Sequence, residues 1–273
     1  MNLVKENKLK ILKDFVKICD ENHLWYSLDG NTLLLTISTK NFDDNLDHYE
    51  VMMTYESYEK LKAKFPQHIL DNTKHSEYYS LQNKFVYDAI NIFDSQPFLN
   101  INLIMPTQIK KIKKYLNCSN RVRSFVEHYA TYNNTNAKVK HKVNIAKLLW
   151  YFIKKITYKD LINALHEEEF EGYIVTSPFI KKQIYLSRWL SNISFKTKDV
   201  IFLGNLTTKV ISEYESYLIN QYGQNYLDHE IKATDCGYKN PVEIWNLKTL
   251  ENRISDQIEV SEVDDSNQED AIN

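Results

Sequence analysis

Glycine and proline are scarce in this chain, with five of each in 273 residues. That excludes collagen-like and proline-rich linker classes. Cysteine is scarcer still. Cys19, Cys118 and Cys236 are odd in number, far apart, and part of no C-x-x-C or Cys/His cluster, which argues against a disulfide framework and a structural zinc site. Long hydrophobic runs are missing too. The most apolar stretch, Leu148 to Ile153, is far shorter than the ~20 residues a bilayer span requires. The N-terminus is polar and alternates in charge, unlike a signal peptide, so a cytoplasmic protein is expected. G-x-S-x-G, P-loop and H-E-x-x-H patterns are absent, and no internal repeat is present.

What is there is the composition of a folded domain, 43% hydrophobic and 26% charged, long enough to bury a full core. The formal net charge of −2 hides an asymmetry. From Asp256 onward there are seven carboxylates and no Lys or Arg, so residues 1–255 carry a formal +5. A mildly basic body suits an anionic small molecule or a membrane surface. It is too little charge for a duplex nucleic-acid binder, and no nucleic-acid partner is expected.

Hydrophobic spacing predicts a helix over residues 5–22, with Leu9, Leu12, Phe15, Val16 and Cys19 on its buried face. Strands are expected near 24–28, 49–53, 77–93 and 98–104. Helices are expected from Asn31 through Leu35 and from Glu56 to Phe65, the latter stopped by Pro66. Beyond Pro106 the pattern turns mostly helical (107–169, then Ser212 to Tyr222), with weak strands at Ile174 to Ile180 and Val200 to Leu203. The expected organisation is an α+β core over 1–106, a mostly helical portion over 107–252 completing the same domain, and a disordered acidic tail over 253–273.

Chemistry concentrates in Leu28 to Leu61: strand, Asp29-Gly30, helix, a connection holding Asp43, Asp44, Asp47, His48 and Glu50, then strand and helix. A glycine at a helix start lets backbone N–H groups approach a phosphate. Carboxylates two apart on a strand point to one side and can hold a divalent cation against that phosphate. A solvated acidic loop is the plainer reading of the same residues. The scattered histidines (His23, His68, His75, His128, His141, His166, His229) suit surface or capping roles. The basic run Lys110 to Lys114, with Arg121 and Arg123, fits a solvated helix face, or a hold on lipid headgroups or a diphosphate. The Leu148 to Ile153 run, flanked by lysines, fits a core segment or an interfacial patch.

Asp29-Gly30-Asn31-Thr32-Leu33-Leu34 resembles the D-G-G-T-L-L signature of the LicD family, bacterial phosphocholine transferases related to fukutin and fukutin-related protein. Ser57-Tyr58-Glu59-Lys60-Leu61 falls at the family's D-Y-E-K-L without a gap, and Lys40 and Phe42 fall on its K and F. Tyr79 to Asn83 and Phe98 to Pro106 resemble its next strands, and Tyr217-Leu218 with Tyr222-Gly223 its late Y-L-x-x-x-Y-G. The resemblance spans roughly residues 8–228. It implies a nucleotidyltransferase-like mixed sheet and transfer of a phospho-alcohol, phosphocholine or a phospho-polyol, from a cytidine diphosphate (CDP)-linked donor to a cell-surface glycan at the inner face of the membrane. It further implies donor contacts at Asp29, Gly30, Asn31, Thr32 and Lys40, and catalytic roles for Asp47 and Glu50. A Mg²⁺ or Mn²⁺ ion would be held by Glu50 with His48 or Asp47. The chain departs from the family where the metal sits: the D-x-D acids are His48 and Glu50, and the later strand carboxylate falls on Asn102 or Leu103. The alternative expectation is a non-catalytic LicD-like binding or scaffolding partner in surface-glycan assembly.

Overall fold

The protein is seen as a computed structural model. It describes residues 3–38, 42–43, 46, 48–74, 78, 80–92, 94, 96–117, 120, 122–123, 125–126, 137–150, 152, 156–176, 185–191 and 193–231. Asp47, Lys40 and the acidic tail lie outside these.

Helix α1 (Leu3–Glu21) leads through a turn at His23 into strand β1 (Tyr26–Leu28) and the short helix α2 (Gly30–Ile37). Strand β2 (Tyr49–Thr54) runs directly into α3 (Tyr55–Lys64), which Thr54 caps by accepting from Ser57 N. Pro66 ends α3 as expected, and β3 (Ile69–Leu70), β4 (Asn83–Val86) and the long β5 (Phe98–Thr107) follow. The sheet is mixed. β2 and β5 are parallel at its centre, β1 flanks β2, and β4 then β3 flank β5, all antiparallel. The chain is mixed α+β.

Two expectations need correction. The strand expected near 77–93 is shorter than that: β4 stops at Val86 because side chains take over the backbone there. Gln96 Oε1 accepts from Tyr87 N and Asp88 N, and Asp88 Oδ1 accepts from Ile90 N and Asn91 N, the side-chain competition that ends ladders and makes turns. Among the described residues the second half is also less helical than expected. Helices α4 (Ile109–Tyr115), α5 (Ala137–Trp150) and α6 (Tyr158–Leu165) precede β6 (Gly172–Val175), β7 (Trp189–Leu190) and the hairpin β8 (Thr197–Phe202) and β9 (Leu206–Ile211). The hairpin turn holds Leu203 and Gly204 at positive φ, the geometry that tight two-strand turns favour. Helix α7 (Tyr214–Tyr222) closes at Gly223, also at positive φ.

β6 pairs with the far end of the same β5 edge that carries β4. Side chains cover the step between them: Gln82 Nε2 donates to Ile101 O, and Thr176 Oγ1 accepts from Leu103 N.

Pairing sorts the sheet into two faces, since partners across a ladder share one. Leu28, Val51 and Ile101 form one row, with Phe85 and Leu99 beside it. This face is apolar and receives α1: Ile11, Leu12, Phe15, Val16 and Cys19 are buried, and Phe15 meets Tyr26 and Phe85 edge-on at 5.6 and 5.5 Å. Cys19 is fully buried, a core residue as expected, and burial pushes its thiol pKa up. The other face carries Ser27, Met52 and Asn102 in one row, and Glu50, Asn100 and Lys84 in the next. A sheet face lined by buried amides, a carboxylate and an ammonium is not built for packing alone.

Candidate functional site

Asp29 is the centre. It caps α2 from extended backbone, its Oδ1 accepting from Gly30 N at 2.7 Å, and it is fully buried. Three long-range donors converge on the same carboxylate: Tyr217 OH at 2.8 Å, Asn102 Nδ2 at 2.6 Å and Arg188 Nη1 at 3.1 Å. A buried carboxylate is tolerated only when its lone pairs are filled in this way.

Glu50 stands beside it on β2. Its Oε2 lies 3.4 Å from Asn102 Nδ2 and 3.9 Å from Arg188 Nη2. Gly30, at φ +52, lies beneath: a Cβ there would fall 2.5 Å from Glu50 Oε2. The left-handed backbone is what requires glycine here, and the carboxylate end of Glu50 occupies the space that a Cβ would take. Burial, with Asp29 adding repulsion against the pull of Arg188, raises the Glu50 pKa from 4.5 to about 7. Its side chain keeps 19% exposure, so protons can reach it.

That shift makes a measurable statement. A carboxylate with a raised folded pKa keeps its proton in the native state between pH ~4.5 and ~7, while the unfolded chain has already lost it. Stability should fall as pH rises through that window and level off above it. Glu50→Gln cannot ionise, so its pH profile should lack the fall. The variant should exceed the wild type above pH 7 by on the order of 2–3 kcal/mol. Urea unfolding at pH 4.5, 6 and 8 checks this; parallel profiles would refute the assignment.

His48 and Glu50, the expected metal pair, do share a face, with His48 Nε2 at 3.9 Å from Glu50 Oε1. They do not make a fitting site for a hard divalent cation. His48 Nε2 lies 2.7 Å from Asn100 Nδ2, and the ring stacks on Phe98. Of the two residues expected at the later strand, Asn102 is at the site, its amide touching both Asp29 and Glu50, while Leu103 faces the opposite, apolar core. Arg188 already supplies the positive charge between the two carboxylates, and a second cation there would be repelled. Among the described residues no group of three or more His, Cys, Asp or Glu side chains is placed to hold a metal.

The remaining expected residues divide. Asn31 is at the site, its Oδ1 accepting from Tyr222 OH at 2.8 Å. Thr32 is buried and turned inward: its Oγ1 accepts from Glu50 N at 2.7 Å, fixing α2 to β2. Asp43, from the acidic connection, serves the framework. It forms an ion pair with buried Lys8 at 3.0 Å and accepts from Tyr49 OH at 2.7 Å. Lys40 and Asp47 lie outside the described residues.

Sequence reasoning missed Arg188 and Lys84. Arg188 ends a short 3-10 turn before β7, in no motif. Lys84 is fully buried with Nζ 4.1 Å from the Phe98 ring centre; an alternating strand pattern was the only available signal. Tyr217 and Tyr222 were legible as the late Y-L-x-x-x-Y-G, and they arrive at Asp29 and Asn31. Burial raises both phenol pKa values well above the ordinary one, so they act as neutral donors. The constellation offers a guanidinium, amide groups and a carboxylic acid that changes charge near neutrality, which suits a polar, anionic ligand. The chain matches no protein-family model, no curated protein and no solved structure.

Proposed function

We propose that this chain is a LicD-like protein that binds a CDP-linked phospho-alcohol over the Gly30 turn as a non-catalytic partner in surface-glycan assembly. One observation carries this reading: the Arg188 guanidinium lies between Asp29 and Glu50, where metal-dependent chemistry would need a cation and its free carboxylates. Arg188 then meets the diphosphate and Asn31 the adjoining polar groups. A place at the inner face of the membrane fits this reading; no helix among the described residues is long and apolar enough to cross a membrane.

A second reading is favoured by Glu50. A carboxyl group that titrates near 7 is matched to proton transfer at neutral pH, and would let the site move the phospho-alcohol to a glycan hydroxyl. Thermal shifts with CDP-choline and a CDP-polyol, in Mg²⁺, Mn²⁺ or chelator, separate the two. The binding reading expects stabilisation that chelator leaves unchanged and that Arg188→Met abolishes, with no release of cytidine monophosphate. Stabilisation only with metal, lost in Glu50→Gln, would overturn it in favour of the enzyme.

A further inference from the structure

Between Thr107 and Lys159 the sequence holds thirteen Lys and Arg residues and one carboxylate, Glu127. The excess lies in the middle of a chain whose overall formal charge is −2. The structure shows how part of this segment is presented. On α4, Lys110, Lys113 and Lys114 are exposed. Lys110, Lys111 and Lys114 line a cleft of about 610 Å³ together with Tyr115, Asn117 and Asn120. Lys111 is tied to Glu167 at 2.9 Å and to His166 O, which leaves the cleft with a strong excess of positive charge.

The second half of the segment adds a different feature. Helix α5 packs through Ala146, which is fully buried, and turns Ile145 and Leu148 outward at 38% and 67% exposure. Phe152, just past its end, is 81% exposed. Ile145 and Leu148 are one turn apart on one face, and the exposed His141 and Lys142 precede them. Single exposed apolar residues are ordinary. Three within eight residues, two on the helix and one just past it, in a run almost devoid of carboxylates, fit a segment that lies on a charged lipid surface.

We infer that the α4 lysine cleft and the exposed Ile145, Leu148 and Phe152 dock on an anionic lipid bilayer, with phosphate headgroups at the cleft and Leu148 and Phe152 inserted at the interface. Charge complementarity selects the occupant. An anionic bilayer attracts each nearby Lys or Arg by about 1 kcal/mol, and its acyl region takes the aliphatic side chains. Nucleic acid would use the lysines and could stack on Phe152 but has no use for Ile145 and Leu148. The inference stands independently of the reading of the Asp29 site.

Co-sedimentation of the full chain with vesicles tests it, using phosphatidylcholine alone and with one third phosphatidylglycerol. Pelleting is expected only with the anionic vesicles. Lys110→Glu/Lys114→Glu and Leu148→Ser/Phe152→Ser should each weaken it about tenfold or more while leaving the melting temperature unchanged. Equal pelleting with neutral vesicles, or none with anionic ones, would overturn the inference. So would full retention by Leu148→Ser/Phe152→Ser, and so would tighter binding to polyuridylate than to vesicles, which would assign the basic segment to nucleic acid.

Discussion

Asp29→Ala should lower the melting temperature by roughly 5–10 °C, the shift that about 3 kcal/mol produces in a chain of this size. The cost comes from what is left behind. Tyr217, Asn102 and Arg188 all donate to this one carboxylate, and its removal strands a guanidinium and two polar donors in a site that water reaches poorly. Burial works against the Arg188 charge, and Tyr217, Asp29 and Glu50 together hold its pKa above the ordinary value. Loss of Asp29 takes away the nearest of its carboxylate partners. Arg188→Met alone should cost less, because the protonated or solvent-touched Glu50 does not need it. In the double variant Asp29→Ala/Arg188→Met the two costs should fall short of additivity by about 1 kcal/mol or more, the coupling expected of neighbours in one network. Additive costs would show that the guanidinium is not held by this carboxylate.

Lys8→Met should be nearly as damaging, at about 3 kcal/mol, although it lies far from any motif. Lys8 Nζ sits 3.0 Å from Asp43 Oδ1, donates to the carbonyls of Asp43 and Leu46, and lies 4.8 Å from the Tyr49 ring centre. Both charged side chains are at 5% exposure or less. Methionine keeps the aliphatic stem, so packing changes little, and the loss reads out the buried charge of Asp43. Lys8→Met/Asp43→Asn should recover part of the stability, measured by urea unfolding. The same variant should weaken ligand binding, because Lys8 fixes the acidic connection that leads into His48 and Glu50. An unchanged unfolding midpoint in Lys8→Met would refute the role.

These two cases also show what the sequence could and could not disclose. The α1 face, the Asp29-Gly30 turn and the strands β2 and β5 were legible, because each depends on local period or on residues adjacent in the chain, whereas the parallel pairing of β2 with β5 joins residues about fifty apart and was not. The late tyrosines were legible only as a pattern, without a target. Arg188 and Lys84 were not, since nothing local distinguishes a lysine that turns under a sheet from one that faces water. Asp43 was misread for the same reason. In sequence it is one acid among several; in the fold it is the counter-ion of a lysine thirty-five residues earlier. The hairpin partner β9 was missed although Gly204-Asn205 marks the turn.

The network around Asp29 also bears on the order in which the protein is made. Its donors Arg188 and Tyr217 stand 159 and 188 residues downstream, and contacts of that separation form slowly because so much chain must be ordered to close them. During synthesis, the five strands β1 to β5 emerge complete while the carboxylate they surround still faces water, with Asn102 as its only distant donor. The nascent sheet therefore presents an open polar face until the ribosome has released α7. A chain that ends before Arg188 lacks two of the side chains that donate to Asp29, and the polar face of its sheet is left unfilled.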